Sequence, residues 1–275
     1  MTDARSERAL GVFDSGLGGL TVVRALRAQL PHENIVYLGD TARVPYGTKG
    51  EATVIRYALA CAKHLVSHDI KALIIACNTV SAVAPARVRA ELDIPVLGVI
   101  DPGAETAVAT SKSGRIGILA TAATIASNAY TRAISALSTR AECTGVAASL
   151  LVPLAEEGWL EGEVPTLAVR RYLEPLVGAR VDTVVLGCTH YPLFEELVLR
   201  EARAMIGPDT RVVDSAAAAA VHIAGFLATR GMLRAPNADD VGRVQLLATD
   251  VPRSFATQAA RFLGEEHADV TLVDL

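Results

Sequence analysis

Two cysteines carry the chemistry that this sequence offers. Cys77 closes the apolar run ALIIAC (72–77) and Cys188 closes TVVLGC (183–188); Asn78 and Thr79 follow the first, Thr189 and His190 the second. A thiol is partly ionised near neutral pH, and a helix N-terminus stabilises its thiolate through the helix dipole and unpaired N–H groups. Two such thiols can take a proton from a carbon and return one to it, while adjacent N–H groups hold a carboxylate. A lone strand-end cysteine is more often a small buried hydrophobe than a catalyst. The paired context, ALIIACNTVSAVAP (72–85) against TVVLGCTHYPLFEE (183–196), brings the chemical reading level with the packing one and suggests two similar half-units. Cys61, inside a helical run, and Cys143, among Ala, Thr and Gly, read as packing residues. Four cysteines without a CxxC pair in 275 residues are expected to be free thiols in a reducing cytoplasm.

The other motifs are weaker. In Asp14-Ser-Gly-Leu-Gly-Gly-Leu-Thr21 the third glycine position of a dinucleotide fingerprint falls on Thr21, and no Gly-Lys dipeptide makes a phosphate loop. The glycines are expected to let backbone approach a small ligand, with Asp14 as its polar handle. His64 and His68, four residues apart without HExxH or a third ligand, read as a solvated helix face, and no metal is expected. Glu156-Glu157 reads from spacing alone as a surface turn.

These residues must be positioned by alternating strands and helices. The runs 10–13, 34–39, 72–77, 95–100, 115–120, 183–188 and 211–214 are rich in Val, Ile and Leu without polar alternation. That pattern predicts parallel strands covered by helices on both faces, an α/β fold. The chemistry then belongs at the carboxyl ends of strands, where helices begin. Ala216–Ala228, interrupted by His222, is shorter than the roughly 20 residues of a membrane span and reads as a buried helix. The N-terminus lacks the apolar core of a signal peptide, so a cytoplasmic protein is expected. A net charge of −4 with scattered cations argues against nucleic acid as the primary ligand.

Five stretches, GVFDSGLGGLTV (11–22), YLGDTARVPYG (37–47), ACNTVSA (76–82), VPLAEEG (152–158) and LGCTHYP (186–192), resemble the glutamate racemases of the aspartate/glutamate racemase superfamily. The resemblance runs from about Leu10 to Gly231. It implies two similar α/β domains with mostly parallel sheets facing each other across a cleft: 1–100 plus 212–275 for the first and 101–211 for the second. It implies Cys77 and Cys188 as acid/base thiols on opposite faces of the substrate α-carbon. Asp14 assists Cys77, His190 assists Cys188, and Glu157, second of the acidic pair with Glu156, is the further assisting carboxylate. Asp14, Ser15, Pro45, Tyr46, Gly47, Asn78, Thr79, Thr121, Thr124, Thr189 and His190 are implied to hold the substrate. The activity implied is isomerisation of L- and D-glutamate without a cofactor, for peptidoglycan synthesis, by a homodimer away from membranes. The four lysines, Lys49, Lys63, Lys71 and Lys112, have no context that argues for a Schiff base. Gly50 and Asp101 depart from the family's Ser and Glu, outside the implied chemistry, and the tail after Gly231 matches no motif. Two other readings are an aspartate or hydantoin racemase with the same thiols, and a non-catalytic binding protein whose cysteines are core residues.

Overall fold

The computed structural model describes residues 5–236, 241–251, 253–265 and 269–275. Its first sheet contains β1 (Leu10–Asp14), β2 (Ile35–Gly39), β3 (Ala72–Ile75), β4 (Val96–Gly98), and, later in the chain, β9 (Val244–Ala248) and β10 (Val270–Leu272). The second contains β5 (Arg115–Ala120), β6 (Glu142–Ala147), β7 (Thr183–Gly187) and β8 (Arg211–Asp214). Strand order is β10-β9-β2-β1-β3-β4 in one and β6-β5-β7-β8 in the other. Every pairing is parallel. β1, β2, β3 and β7 are buried along their whole length. That is why their sequences are continuous in aliphatic residues: parallel strands between helical layers have no solvent face.

In the first sheet α1 (Leu20–Gln29), α2 (Glu51–Val66), and the short pair α3 (Asn78–Val83) and α4 (Pro85–Glu91) connect the strands. In the second, α5 (Ile100–Thr110) leads into β5, followed by α6 (Ala122–Ala126), α7 (Ala129–Leu137), α8 (Leu151–Glu157), α9 (Glu163–Gly178) and α10 (Glu195–Met205). α11 (Ser215–Thr229) packs against both α1 and α5, and α12 (Phe255–Leu263) against α1. The repeat suggested by the two cysteine contexts is topological. The orders β2-β1-β3-β4 and β6-β5-β7-β8 superimpose strand for strand, and each cysteine follows the third strand of its set.

Several expectations change. Val212, the expected start of the return to the first domain, lies inside β8, which pairs with β7; the chain leaves the second sheet only after Asp214. Ser215–Thr229 is helical but only one face is buried, with Val221 61% exposed. The tail supplies β9 and β10, which extend the first sheet beside β2. β6 was missed because it is an edge strand, half-exposed, with Thr144 and Gly145 interrupting its apolar residues. No helix among the described residues is long and apolar enough to cross a membrane.

Candidate active site

With strand order 2-1-3-4, the chain crosses to opposite sides of the sheet from its central strand, opening a crevice at the carboxyl ends of the first and third strands. β1 ends in Asp14 and leads into Ser15; Cys77 follows β3. In the second sheet β5 leads into Thr121, and Cys188 follows β7. The two crevices share one cavity of about 380 Å³. Its lining includes Ser15, Pro45, Tyr46, Gly47, Cys77, Asn78, Thr79, Thr121, Cys188, Thr189 and His190, all expected from the sequence, together with Val44, Thr48, Ser149, Val152, Pro153 and Glu156. Both cysteines are buried, each 5% exposed, and both line this cavity. Asp14 and Thr124 do not line it. Asp14 is fully buried behind Ser15, its Oδ2 accepting from the Gly16 N–H at 3.0 Å. Thr124 stands behind Thr121, their hydroxyls 2.9 Å apart, and Thr79 from the first sheet joins them at 3.0 Å from Thr121 Oγ1.

The two thiols have different surroundings. Cys77 Sγ donates to Ser15 Oγ at 3.4 Å. Burial, reinforced by the negative charge of Asp14, pushes its pKa up to about 12. The expected lowering by a helix N-terminus is therefore overridden. α3 has only six residues, and removing the thiolate from water costs more than so short a helix returns. Asp14 is itself raised by burial, against the opposing positive charge of His190 and backbone N–H groups of the Ser15–Gly19 loop. Cys188 Sγ lies 3.9 Å from His190 Nδ1, and the opposite ring nitrogen, Nε2, lies 3.1 Å from Glu156 Oε1. Burial alone would depress the His190 pKa, but its hydrogen bonds and charge interactions with Cys188 and Glu156 win, raising it to about 10. The sulfur and the carboxylate on either side of His190 thus favour its imidazolium form. The Phe262 ring packs edge-on against it, centroids 5.0 Å apart.

Glu156, and not the expected Glu157, reaches His190. Both stand in the last turn of α8, and a one-residue step rotates a side chain by about 100° around a helix, so Glu157 points to solvent. The α8 carbonyls beside it are held by the tail: Arg261 Nη1 donates to Ala155 O at 3.0 Å. The glycine loop also differs from expectation. Gly16 lines the cavity, but Gly18 and Gly19 make room for protein. A Cβ at Gly18 would lie 2.4 Å from Thr189 Oγ1 and 2.5 Å from His190 Nδ1; one at Gly19 would lie 2.4 Å from Asp14 Cβ. Thr21 Oγ1 donates to the Thr189 carbonyl at 2.9 Å, so the first sheet's loop braces the second sheet's cysteine segment. The rings of His64, in the last turn of α2, and His68, just past its end, are tilted against each other with centroids 5.3 Å apart, and no group of three metal-ligating side chains occurs among the described residues.

Asn78, the first residue of α3, is oriented by two other helices. Tyr130 Oη of α7 donates to its Oδ1 at 2.7 Å, and its Nδ2 faces Ser215 Oγ of α11 at 3.4 Å. Ser149, Val152 and Pro153 were not singled out from the sequence. Only the VPLAEEG stretch signalled the last two, and Ser149 sits in the loop after β6, the strand that the pattern missed.

The sequence profile of the Asp/Glu/Hydantoin racemase family matches residues 20–223. Over the whole of both chains, this protein is 47% identical to a glutamate racemase of Neisseria meningitidis serogroup C. Its fold is similar to that of the glutamate racemase of Francisella tularensis solved with D-glutamate (TM-score 0.89, 34% identity, 98% of each chain). It is similar too to glutamate racemase isoform RacE1 of Bacillus anthracis (TM-score 0.90, 36% identity, 98% of each chain). On sequence, topology and the two cysteines that meet in one cavity, the chain belongs to the Asp/Glu/hydantoin racemase family and is a racemase, an isomerase.

Proposed function

We propose that the protein interconverts L- and D-glutamate by two-base proton transfer between Cys77 and Cys188. The observation that carries this reading is the shared cavity: two buried thiols, each following the third strand of a different sheet, lining one space. The volume suits a small metabolite.

In the L-to-D direction Cys188, its negative charge supported by the His190 imidazolium, removes the α-proton as a thiolate. Cys77, a thiol at rest, delivers its own proton to the opposite face. The negative charge passes from one sulfur through the substrate to the other, and the protonation count is conserved. In the reverse direction the protonation states are exchanged: Cys77, as the thiolate that the forward reaction leaves, removes the α-proton, and Cys188, now the thiol, returns its own proton to the opposite face. The growing negative charge on the substrate carboxylate is met by the free N–H groups of Asn78 and Thr79 and the hydroxyls of Thr79 and Thr121. The same reading places the enzyme in the cytoplasm, as a homodimer, supplying D-glutamate to peptidoglycan synthesis.

The test is incubation of L-glutamate with the protein in deuterated water, followed by circular dichroism and mass spectrometry. D-glutamate carrying one α-deuterium is expected. An inert L-glutamate alongside racemised aspartate would move the activity to another substrate of the family, and unlabelled D-product would refute the proton-transfer mechanism.

A further inference from the structure

One wall of the cavity, Val44 to Gly47, runs from one short 3-10 turn (Thr41–Arg43) into a second (Tyr46–Thr48). Behind it lies Asp40, at the carboxyl end of β2 and fully buried. Its carboxylate accepts from the Tyr46 hydroxyl, from Arg43 Nε at 2.9 Å and from Thr249 Oγ1 at 2.9 Å. Thr249 follows β9 in the tail; its hydroxyl also accepts from the Ala42 N–H at 2.9 Å. Beside it, Thr41 Oγ1 donates to the Asp250 carbonyl at 2.6 Å and accepts from the Asp250 N–H at 2.8 Å. The Arg43 guanidinium lies 4.6 Å from the centre of the Tyr57 ring, which is itself tilted against Tyr46 at 5.5 Å. The Asp40 N–H donates to the Asp14 carbonyl at 3.1 Å, which ties the network to the strand end that carries Ser15.

We infer that Asp40, together with Thr249, is a positioning residue for substrate binding: it locks the Tyr46–Gly47 wall onto the ends of β2 and β9. The inference rests on the reading of the cavity as the amino-acid site. Asp40 takes no part in the proton transfer, so its loss should weaken binding and leave the chemical step nearly intact. An ionised carboxylate is an acceptor only, which is what three converging donors require. An amide in its place presents two N–H groups to those donors and leaves Arg43 without its counter-charge.

The test is steady-state racemisation of L-glutamate, with calorimetric Kd for the same ligand, on wild type, Asp40→Asn, Thr249→Val and Thr249→Ser. Asp40→Asn and Thr249→Val should raise KM and Kd about tenfold with kcat within about threefold, and Thr249→Ser, which keeps the hydroxyl, should stay near wild type. A merely structural role would reduce the amount of active enzyme, lowering kcat per total protein and leaving KM and Kd unmoved. That result overturns the inference, as does a wild-type KM and Kd in both Asp40→Asn and Thr249→Val. Should Asp40→Asn fail to fold, the Thr249 pair decides alone. A wild type that binds glutamate without turning it over refutes the proposed reaction, and Kd across the variants still decides the positioning role.

Discussion

Replacing Glu156 with Gln keeps the shape of the side chain and removes the charge that faces His190 Nε2 across 3.1 Å. The Gln oxygen can still accept from the ring N–H, so the charge is what is lost. Hydrogen bonds to charged groups contribute about 1.5–3 kcal/mol and exposed ion pairs about 0–1 kcal/mol. This pair lies between them, because the His190 side chain is 10% exposed and that of Glu156 is 43% exposed. A loss of about 1–1.5 kcal/mol follows, which is about one unit in the His190 pKa. From its raised position near 10, His190 in Glu156→Gln should therefore titrate roughly one unit lower. The sign for stability follows from linkage. A histidine whose folded pKa is raised contributes stability that is complete below its unfolded pKa, about 6.5, and is lost as the pH rises through about 10. Glu156→Gln should thus be less stable than wild type at neutral pH, and the difference should vanish above the wild-type His190 pKa. The direct assay is NMR titration of the His190 ring; chemical denaturation at neutral and alkaline pH follows the stability. Glu157→Gln, on the solvent side of α8, is the control and should leave both readouts unchanged. An unmoved or raised His190 pKa in Glu156→Gln, or an equal shift in Glu157→Gln, refutes the proposed pairing.

Cys77→Ala and Cys188→Ala should each abolish racemisation, measured by circular dichroism, while lowering stability by only about 1 kcal/mol for the small volume removed; normal turnover in either variant removes that thiol from the reaction. Gly18→Ala should lower activity at least 100-fold and stability by about 1–3 kcal/mol, because its methyl group must displace Thr189 and His190. A crystal structure with both side chains undisturbed would contradict that. Lys71 and Glu33 form a buried ion pair at the end of β3 opposite Cys77, 0% and 2% exposed at the side chain. Lys71→Met should cost about 3–5 kcal/mol in urea unfolding by stranding the Glu33 carboxylate, and Lys71→Met with Glu33→Leu should recover most of it. A loss below about 1 kcal/mol in the single variant would refute the dependence of the Glu33 carboxylate on Lys71.

The core strands were legible because burial on both faces writes an unbroken aliphatic run into a sequence. β1, β2, β3, β5, β7 and β8 fall within a residue or two of their runs. β6, β9 and β10 were not read: each lies at or near the exposed side of its sheet, where polar residues are tolerated and the aliphatic signal fades. The link between Thr249 and Asp40 was equally hidden, since it joins residues 209 positions apart.

What the sequence determined by itself was chemical identity and local place: two thiols at strand ends, each followed by small donors, in a family pattern spread along the chain. Tertiary structure alone decided which groups act on them. Whether Glu156 or Glu157 meets His190 depends on the rotation of α8 against the second sheet. Whether a thiol at a helix start rests protonated depends on how completely the other elements shut out water. Local spacing sets neither quantity, because dielectric surroundings and the close approach of distant segments arise only when the whole chain has packed.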